Sequence, residues 1–203
     1  MWLFVLLAAI VGYLLGNLNG AVCVSKLLGD DVRTHGSGNA GLTNFIRNYG
    51  TGKALAVILI DAGKAVFACL LGGLLLRNYL GFQTGSAIGG AAVILGHAFP
   101  AFLGFRGGKG ILSGFFVAIM VDWRIALVIL AVFMASYLLT RYVSLGSVLA
   151  AAGFCVSFVV MHHDNTVLML CGVFTGALAI FMHRENILRL IKGQERKTDL
   201  FKK

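Results

Sequence analysis

Charge is what this sequence has least of: 12% of its 203 residues are charged, against 59% that are hydrophobic. So few charged groups cannot clothe a soluble domain, and the natural solvent of the chain is lipid. Acidic residues number eight against 17 Lys and Arg, a formal net charge of +9. A basic disordered tail or a typical nucleic-acid binder does not carry so much apolar sequence. The few carboxylates are scattered, and the adjacent Asp30 and Asp31 would point apart on a helix. The paired aspartates of a magnesium-dependent phosphotransferase are therefore missing, and no metal or other cofactor is expected. Cys23, Cys69, Cys155 and Cys171 stand singly in apolar runs, which excludes a zinc module or a disulfide scaffold. No histidine is followed by Asp five residues later, and no Gly-x-Ser-x-Gly elbow marks a serine hydrolase.

What is abundant is apolar sequence at membrane length. A bilayer core about 30 Å thick takes roughly 20 helical residues to cross. The chain offers about seven stretches, at residues 2–27, 54–76, 86–95, 111–121, 125–139, 143–161 and 167–182, the third and fourth being short. The expected fold is an all-α integral membrane protein forming a single domain over residues 1–203. The first stretch reads as a retained helix, because it has no basic flank and no clear small-residue cleavage site. Lys26, Arg33, Arg47 and Lys53 flank or lie in the first connection, Arg106 and Lys109 in the third, and Arg141 in the fifth. The tail adds Arg184, Arg189, Lys192, Arg196, Lys197, Lys202 and Lys203, whereas the opposite connections hold Arg77 and Arg124 alone. The N-terminus is therefore expected outside and the C-terminus in the cytoplasm.

With that topology three polar segments meet on the cytoplasmic face. The first, GSGNAGLTNFIRNYG at residues 36–50, has glycines that free backbone N–H groups to face an oxyanion. Ser37, Asn39, Thr43 and Asn44 add neutral donors and Arg47 a planar charged fork. A flexible polar loop is the plain alternative. Gly36, Gly38 and Gly41 also satisfy Gly-x-Gly-x-x-Gly, but a membrane helix and charged residues precede them instead of a strand, so a dinucleotide site is rejected. The second segment, GHAFPAFLGFRGGKG at residues 96–110, holds His97, the one proline, Pro100, and the run Gly107, Gly108, Lys109, Gly110. This is phosphate-cradle chemistry without a Walker A spacing. Its alternative is an interfacial loop that only sets topology. The third, HRENILRLIKGQERK from His183, would place His183 and Asn186 near one helix face, with Glu185 close by. A basic tail that binds anionic headgroups is the alternative here.

Ionisable groups inside a bilayer are costly, which singles out Asp61 and Lys64. Their i, i+3 spacing favours a structural ion pair over a catalytic one. Asn17 and Asn19 are expected to hydrogen-bond between helices, and His162 and His163 to be solvated loop residues on the far face.

Together the three segments resemble the motifs of bacterial membrane-integral glycerol-3-phosphate acyltransferases that use acyl phosphate. The likeness extends over essentially the whole chain, with Ile111-Leu112-Ser113 where Val-Ala-Thr is common after the second motif. The resemblance implies acyl transfer to the sn-1 hydroxyl of glycerol 3-phosphate, giving lysophosphatidic acid and phosphate, the first acylation of phospholipid synthesis. It implies an active site of Ser37, Arg47, Lys109, His183 and Asn186, supported by Glu185. Gly36, Gly38, Asn39, Thr43, Asn44, His97, Gly107, Gly108, Gly110 and, more weakly, Ser144 would contact substrate, with the loop from Gly107 to Gly110 on the donor phosphate. The partners implied are acyl phosphate, glycerol 3-phosphate and membrane lipids, with no nucleic acid and no obligate protein partner, in the bacterial inner membrane. The rival from another class is a small transporter or channel for organic phosphates, which needs a polar path through the bilayer.

Overall fold

The structure, a computed structural model, describes residues 1–198. Lys202 and Lys203, counted with the basic tail, lie outside the described residues. Among those described, the secondary structure is helical with no strand. The helices are α1 (Trp2–Gly16), α2 (Gly20–Leu27), α3 (Leu42–Tyr49), α4 (Ala54–Leu80), α5 (Phe82–Ala98) and α6 (Ile111–Val121). They continue as α7 (Trp123–Thr140), α8 (Val143–Met161), α9 (Thr166–Met182) and α10 (Arg184–Ile191). Among the described residues five stretches are long and apolar enough to cross a membrane, or six if α9 and α10, bent by 55°, are one span, against the seven expected. The third stretch is longer than expected, Phe82–Leu103, because the polar residues beyond the expected run are paired, Gln83 with the Val121 carbonyl, Thr84 with Asn165 and His97 with Lys64. The expected span at Ile111–Val121 is a helix of 11 residues, which at 1.5 Å per residue is only about 16 Å long.

That short helix decides how deep the polar segments sit. α6 joins α7 through Asp122, whose carboxylate caps α7 at Arg124 N–H, 3.0 Å away. At its other end Ser113, in the first turn of α6, donates to the Asp61 carbonyl at 3.1 Å. Asp61 is seven residues past the start of α4, so the start of α6 lies about 10 Å along that helix.

The pairing of α5 with α1 and α4 depends on glycine, because helices in lipid associate by close backbone packing. A Cβ on Gly16 would stand 2.6 Å from the Cα of Gly96, and one on Gly72 would strike the Gly85 carbonyl. A larger core of Val93, Ile94, Val117, Ile125, Phe154 and Phe158 joins α5, α6, α7 and α8. A smaller one, with Val22, Val32, Phe45 and Val57, seats α3 against α2 and α4.

The first apolar stretch is broken at Asn17–Leu18–Asn19, and the expected Asp61–Lys64 ion pair, 2.7 Å long, fills the break. Lys64 Nζ donates to the Leu18 carbonyl at 2.7 Å and Asp61 Oδ1 accepts the Gly20 N–H at 3.1 Å, satisfying groups that the interrupted helix leaves open. The third proton of Lys64 goes to His97 Nδ1 at 2.7 Å. Asn17 links the first and third stretches as expected, accepting the Phe102 N–H at 3.1 Å, whereas Asn19 caps α2 and donates to the Ala40 carbonyl at 2.9 Å, in the loop before α3. The break is thus tied to the first and second polar segments. His162 also departs from expectation: it is buried and meets the Asp122 carboxylate at 3.2 Å, locking α8 to the α6–α7 turn, whereas His163 is exposed.

Candidate active site

In the first polar segment one side chain shapes the loop. The Asn44 amide nitrogen donates to the carbonyls of Val32, His35 and Asn39 at 3.0 to 3.1 Å, and its oxygen accepts the Ser37 N–H at 3.0 Å. Its donors are spent on backbone, so Asn44 organises the cradle instead of offering a free donor to substrate. Gly36 turns beneath it with φ +60°, where a Cβ would collide with the Asn44 oxygen. Downstream, α3 buries Phe45 and stacks it on Tyr49 at 4.8 Å between ring centres. Helical spacing then leaves Thr43 and Arg47 on the flank that faces a cavity, with Ser37 exposed at its rim. Gly38 faces away from it, into a shallow hollow beside Arg33 and Arg106.

The glycines of the second segment do two different jobs. Gly108 N–H donates to the His97 carbonyl at 3.0 Å, and a Cβ on Gly107 would strike that same carbonyl. Neither residue is on the cavity wall, and the Gly108 N–H is already spent on the His97 carbonyl. They allow the loop to lie directly on the end of α5. Gly110, by contrast, has φ +78° and caps α6 without a side chain, so the first turn of α6 opens onto the cavity beside Lys109. Burial first, and then the neighbouring Arg189, lower the Lys109 amine to about 8.

The third segment turns at His183, where α9 ends and α10 begins. His183 and Asn186 are both buried and both line the cavity. The Ala179 carbonyl, 2.7 Å from Nδ1, can only accept, so Nδ1 carries the ring proton and Nε2 is the acceptor. The Asn186 amide is oriented from both ends: Lys109 donates to its oxygen, and its nitrogen donates to Glu195 Oε1 at 2.8 Å. Glu185 is exposed and does not line the cavity. The carboxylate found there is Glu195, held also by Arg189 Nε at 2.8 Å. Burial opposes its charge, but the hydrogen bonds from Arg189 and Asn186 keep its carboxyl below the usual range. Sequence spacing carries no signal for Glu195, which lies past the end of α10 and returns through an irregular turn.

All three segments therefore line one cavity of about 670 Å³. Arg47, Lys109, Arg189 and Arg196 give its mouth positive charge. The starts of α3, α6 and α8 lack side-chain caps, and Thr43, Ile111 and Ser144 place each of them on the cavity wall. Unpaired N–H groups and helix dipoles converge there, which suits anions. The cavity continues downward between α7, α8 and α9, past Ile129, Phe133, Ala150, Phe154 and Ala179. Ser147 and Thr175 turn their hydroxyls back to their own helix carbonyls, each at 2.8 Å, so that lower part is apolar. His97 and Asp61 also line the cavity, with Asp61 paired to Lys64.

A cavity with a cationic mouth and an apolar depth fits a phosphorylated molecule that carries a long hydrocarbon. The comparisons agree with that chemistry. Residues 6–193 match the family model described as glycerol-3-phosphate acyltransferase. Among curated relatives, the glycerol-3-phosphate acyltransferase of Thermoanaerobacter sp. (strain X514) is 40% identical over 199 residues, covering 96% of each chain. That of Clostridioides difficile (strain 630) is 39% identical, covering 95% of this chain and 94% of its own. The crystal structure of PlsY (YgiH), an integral membrane glycerol 3-phosphate acyltransferase, in its glycerol 3-phosphate form has a TM-score of 0.86 at 33% identity, covering 98% and 99% of the two chains. Its lysophosphatidic acid form has a TM-score of 0.83 at 34% identity, covering 96% and 95%. With matches that run nearly end to end in sequence and in fold, the chain belongs to the glycerol-3-phosphate acyltransferase family.

Proposed function

We propose that the protein transfers a fatty acyl group from acyl phosphate to the sn-1 hydroxyl of glycerol 3-phosphate, releasing lysophosphatidic acid and inorganic phosphate. The observation that carries this reading is the single cavity in which a cationic mouth passes into an apolar slot. The whole chain acts as one transmembrane domain in the bacterial plasma membrane. Its N-terminus is outside, and the cavity mouth faces the cytoplasm, the side with the greater Lys and Arg content. The start of α6, partway along α4, brings the reacting groups below the membrane surface, within reach of an acyl chain lying among α7, α8 and α9.

Acyl phosphate is already activated, because phosphate is a good leaving group. The acceptor oxygen attacks the acyl carbon, the bond to phosphate breaks, and the hydroxyl proton balances the released phosphate. Alignment of the two reactants supplies the equivalent of about 7 to 11 kcal/mol of the barrier, and donors aimed at the developing oxyanion add a few more. Arg47 holds the acceptor phosphate with its planar fork. Lys109 and the open first turn of α6 hold the donor phosphate. Ser37 and Asn186 orient the two, and His183 offers Nε2 to the acceptor hydroxyl. A channel for organic phosphates would need polar groups past the mouth, where Ile129 and Phe154 stand instead.

The donor is tested with purified protein offered acyl phosphate, acyl-CoA and acyl carrier protein thioester in parallel. Lysophosphatidate should form from acyl phosphate, and chelator should leave the rate unchanged. Product from the thioesters alone would overturn the donor assignment.

The pH dependence has a definite sign. Lys109 attracts phosphate only while protonated, and its amine in the free protein titrates at about 8. Hence kcat/KM should fall as pH rises above that value. Lys109→Arg keeps its charge throughout this range, so it should lose the basic limb even where its rate is lower. An unchanged limb in that variant would remove Lys109 as its source.

A further inference from the structure

Past the end of α10 the chain turns back across the mouth of the cavity. The Thr198 N–H donates to the Arg141 carbonyl at 3.1 Å, and the Thr198 carbonyl accepts from the Tyr137 hydroxyl at 3.1 Å. Arg47 donates to the Thr198 hydroxyl, and the Lys197 ammonium lies 5.5 Å over the Tyr142 ring. Residues 194–198 thus form a strap that runs from α10 to the α7–α8 turn and touches α3. Glu195 points inward from this strap with its side chain only 8% exposed. Asn186 and Arg189 each donate to it at 2.8 Å, with Ser144 beside it at the start of α8. Lys109 reaches the same group through the Asn186 amide. Both groups bonded to that carboxylate are donors and one of them is a cation, so Glu195 already fills a position suited to an anion.

We infer that Glu195 is a resident anion standing in a phosphate position of the cavity, and that a phosphorylated substrate binds by displacing it and lifting the strap. The inference rests on the reading that the cavity takes phosphorylated substrates. Were Glu195 to stay, an entering phosphate would face a like charge in a partly buried site. A phosphate group carries up to two charges and more acceptor oxygens than a carboxylate, so it makes better use of the same donors. Among the described residues, the strap is held by hydrogen bonds, the Arg189–Glu195 ion pair and the Lys197–Tyr142 contact, and the ion pair is the part that an entering phosphate replaces. Glu195 would also keep the cationic mouth neutralised when substrate is scarce.

Trypsin cleavage after Arg196 and Lys197 of the full chain in detergent, located by mass spectrometry, reads the opening of the strap. Glycerol 3-phosphate and inorganic phosphate are added separately, and the phosphate that displaces Glu195 should speed these cuts several-fold. Acceleration by glycerol 3-phosphate alone places Glu195 in the acceptor position, by inorganic phosphate alone in the donor position, and by both in a shared one. Acceleration by neither, or slower cutting, overturns the inference. Glu195→Gln keeps the shape and one acceptor oxygen but loses the charge. It should tighten binding of the displacing phosphate about tenfold, as expected when a resident competitor is removed. Weaker or unchanged binding in that variant also overturns the inference. If phosphate opens the strap while acyl phosphate yields no lysophosphatidate, the acyl-transfer reading fails and the displacement stands.

Discussion

Lys109→Met should lower kcat/KM for lysophosphatidate formation by about 10²- to 10³-fold, the loss typical of removing one preorganised donor from a reacting oxyanion. The loop would keep its shape, because the backbone of Gly108 on His97 holds it and not the lysine side chain. A melting curve close to wild type should therefore accompany the loss of rate. Methionine keeps the apolar stem and removes the charge, so the variant isolates electrostatics from packing. Turnover within tenfold of wild type, with the same melting curve, would exclude Lys109 from the reaction. Arg47→Ala should act differently, mainly raising KM for glycerol 3-phosphate, because Arg47 stands at the exposed rim.

Asp61→Ala should produce the largest loss of stability, about 3–5 kcal/mol, because it strands a buried ammonium whose partner has gone. Lys64 is held by Asp61, the Leu18 and Gly16 carbonyls and His97, and of these only Asp61 carries a neutralising charge. The same change leaves the Gly20 N–H without its acceptor at the break between α1 and α2. Thermal unfolding in one detergent measures the effect. Removing both charges, as Asp61→Leu with Lys64→Met, should recover much of the loss, since an apolar pair of similar volume replaces a desolvated ion pair at little cost. If Asp61→Ala melts with wild type, the pair is not what secures the break.

These two sites also show how far the chain can be read without its structure. The Asp61–Lys64 pair was legible because i, i+3 spacing on a helix is local geometry. So was the shared face of His183 and Asn186 across the start of α10. The helical fold followed from apolar runs, and the three polar segments do meet at one cavity, although the described residues hold five or six membrane-length spans and not the seven from which that meeting was expected. What escaped was set by contacts between distant residues. Lys64 reaching His97, Asn17 and Asn19 serving the two motif loops, and His162 buried on Asp122 all join residues far apart in the chain. The close packing of Gly107 and Gly108 on the end of α5 was not legible, because glycine permits both an open N–H and a close approach, and sequence does not distinguish them. Glu195 was missed in favour of Glu185 because the strap is irregular, and helical spacing stops at Ile191.

The most direct test of transfer between two reactants held together in one cavity is the initial-rate pattern of the purified protein. Acyl phosphate and glycerol 3-phosphate are both varied, and phosphate release is followed with and without the acceptor. Intersecting reciprocal plots and no burst of phosphate in the absence of glycerol 3-phosphate are expected. Parallel plots, with a stoichiometric burst when the acceptor is withheld, would reveal a covalent acyl-enzyme and contradict direct transfer.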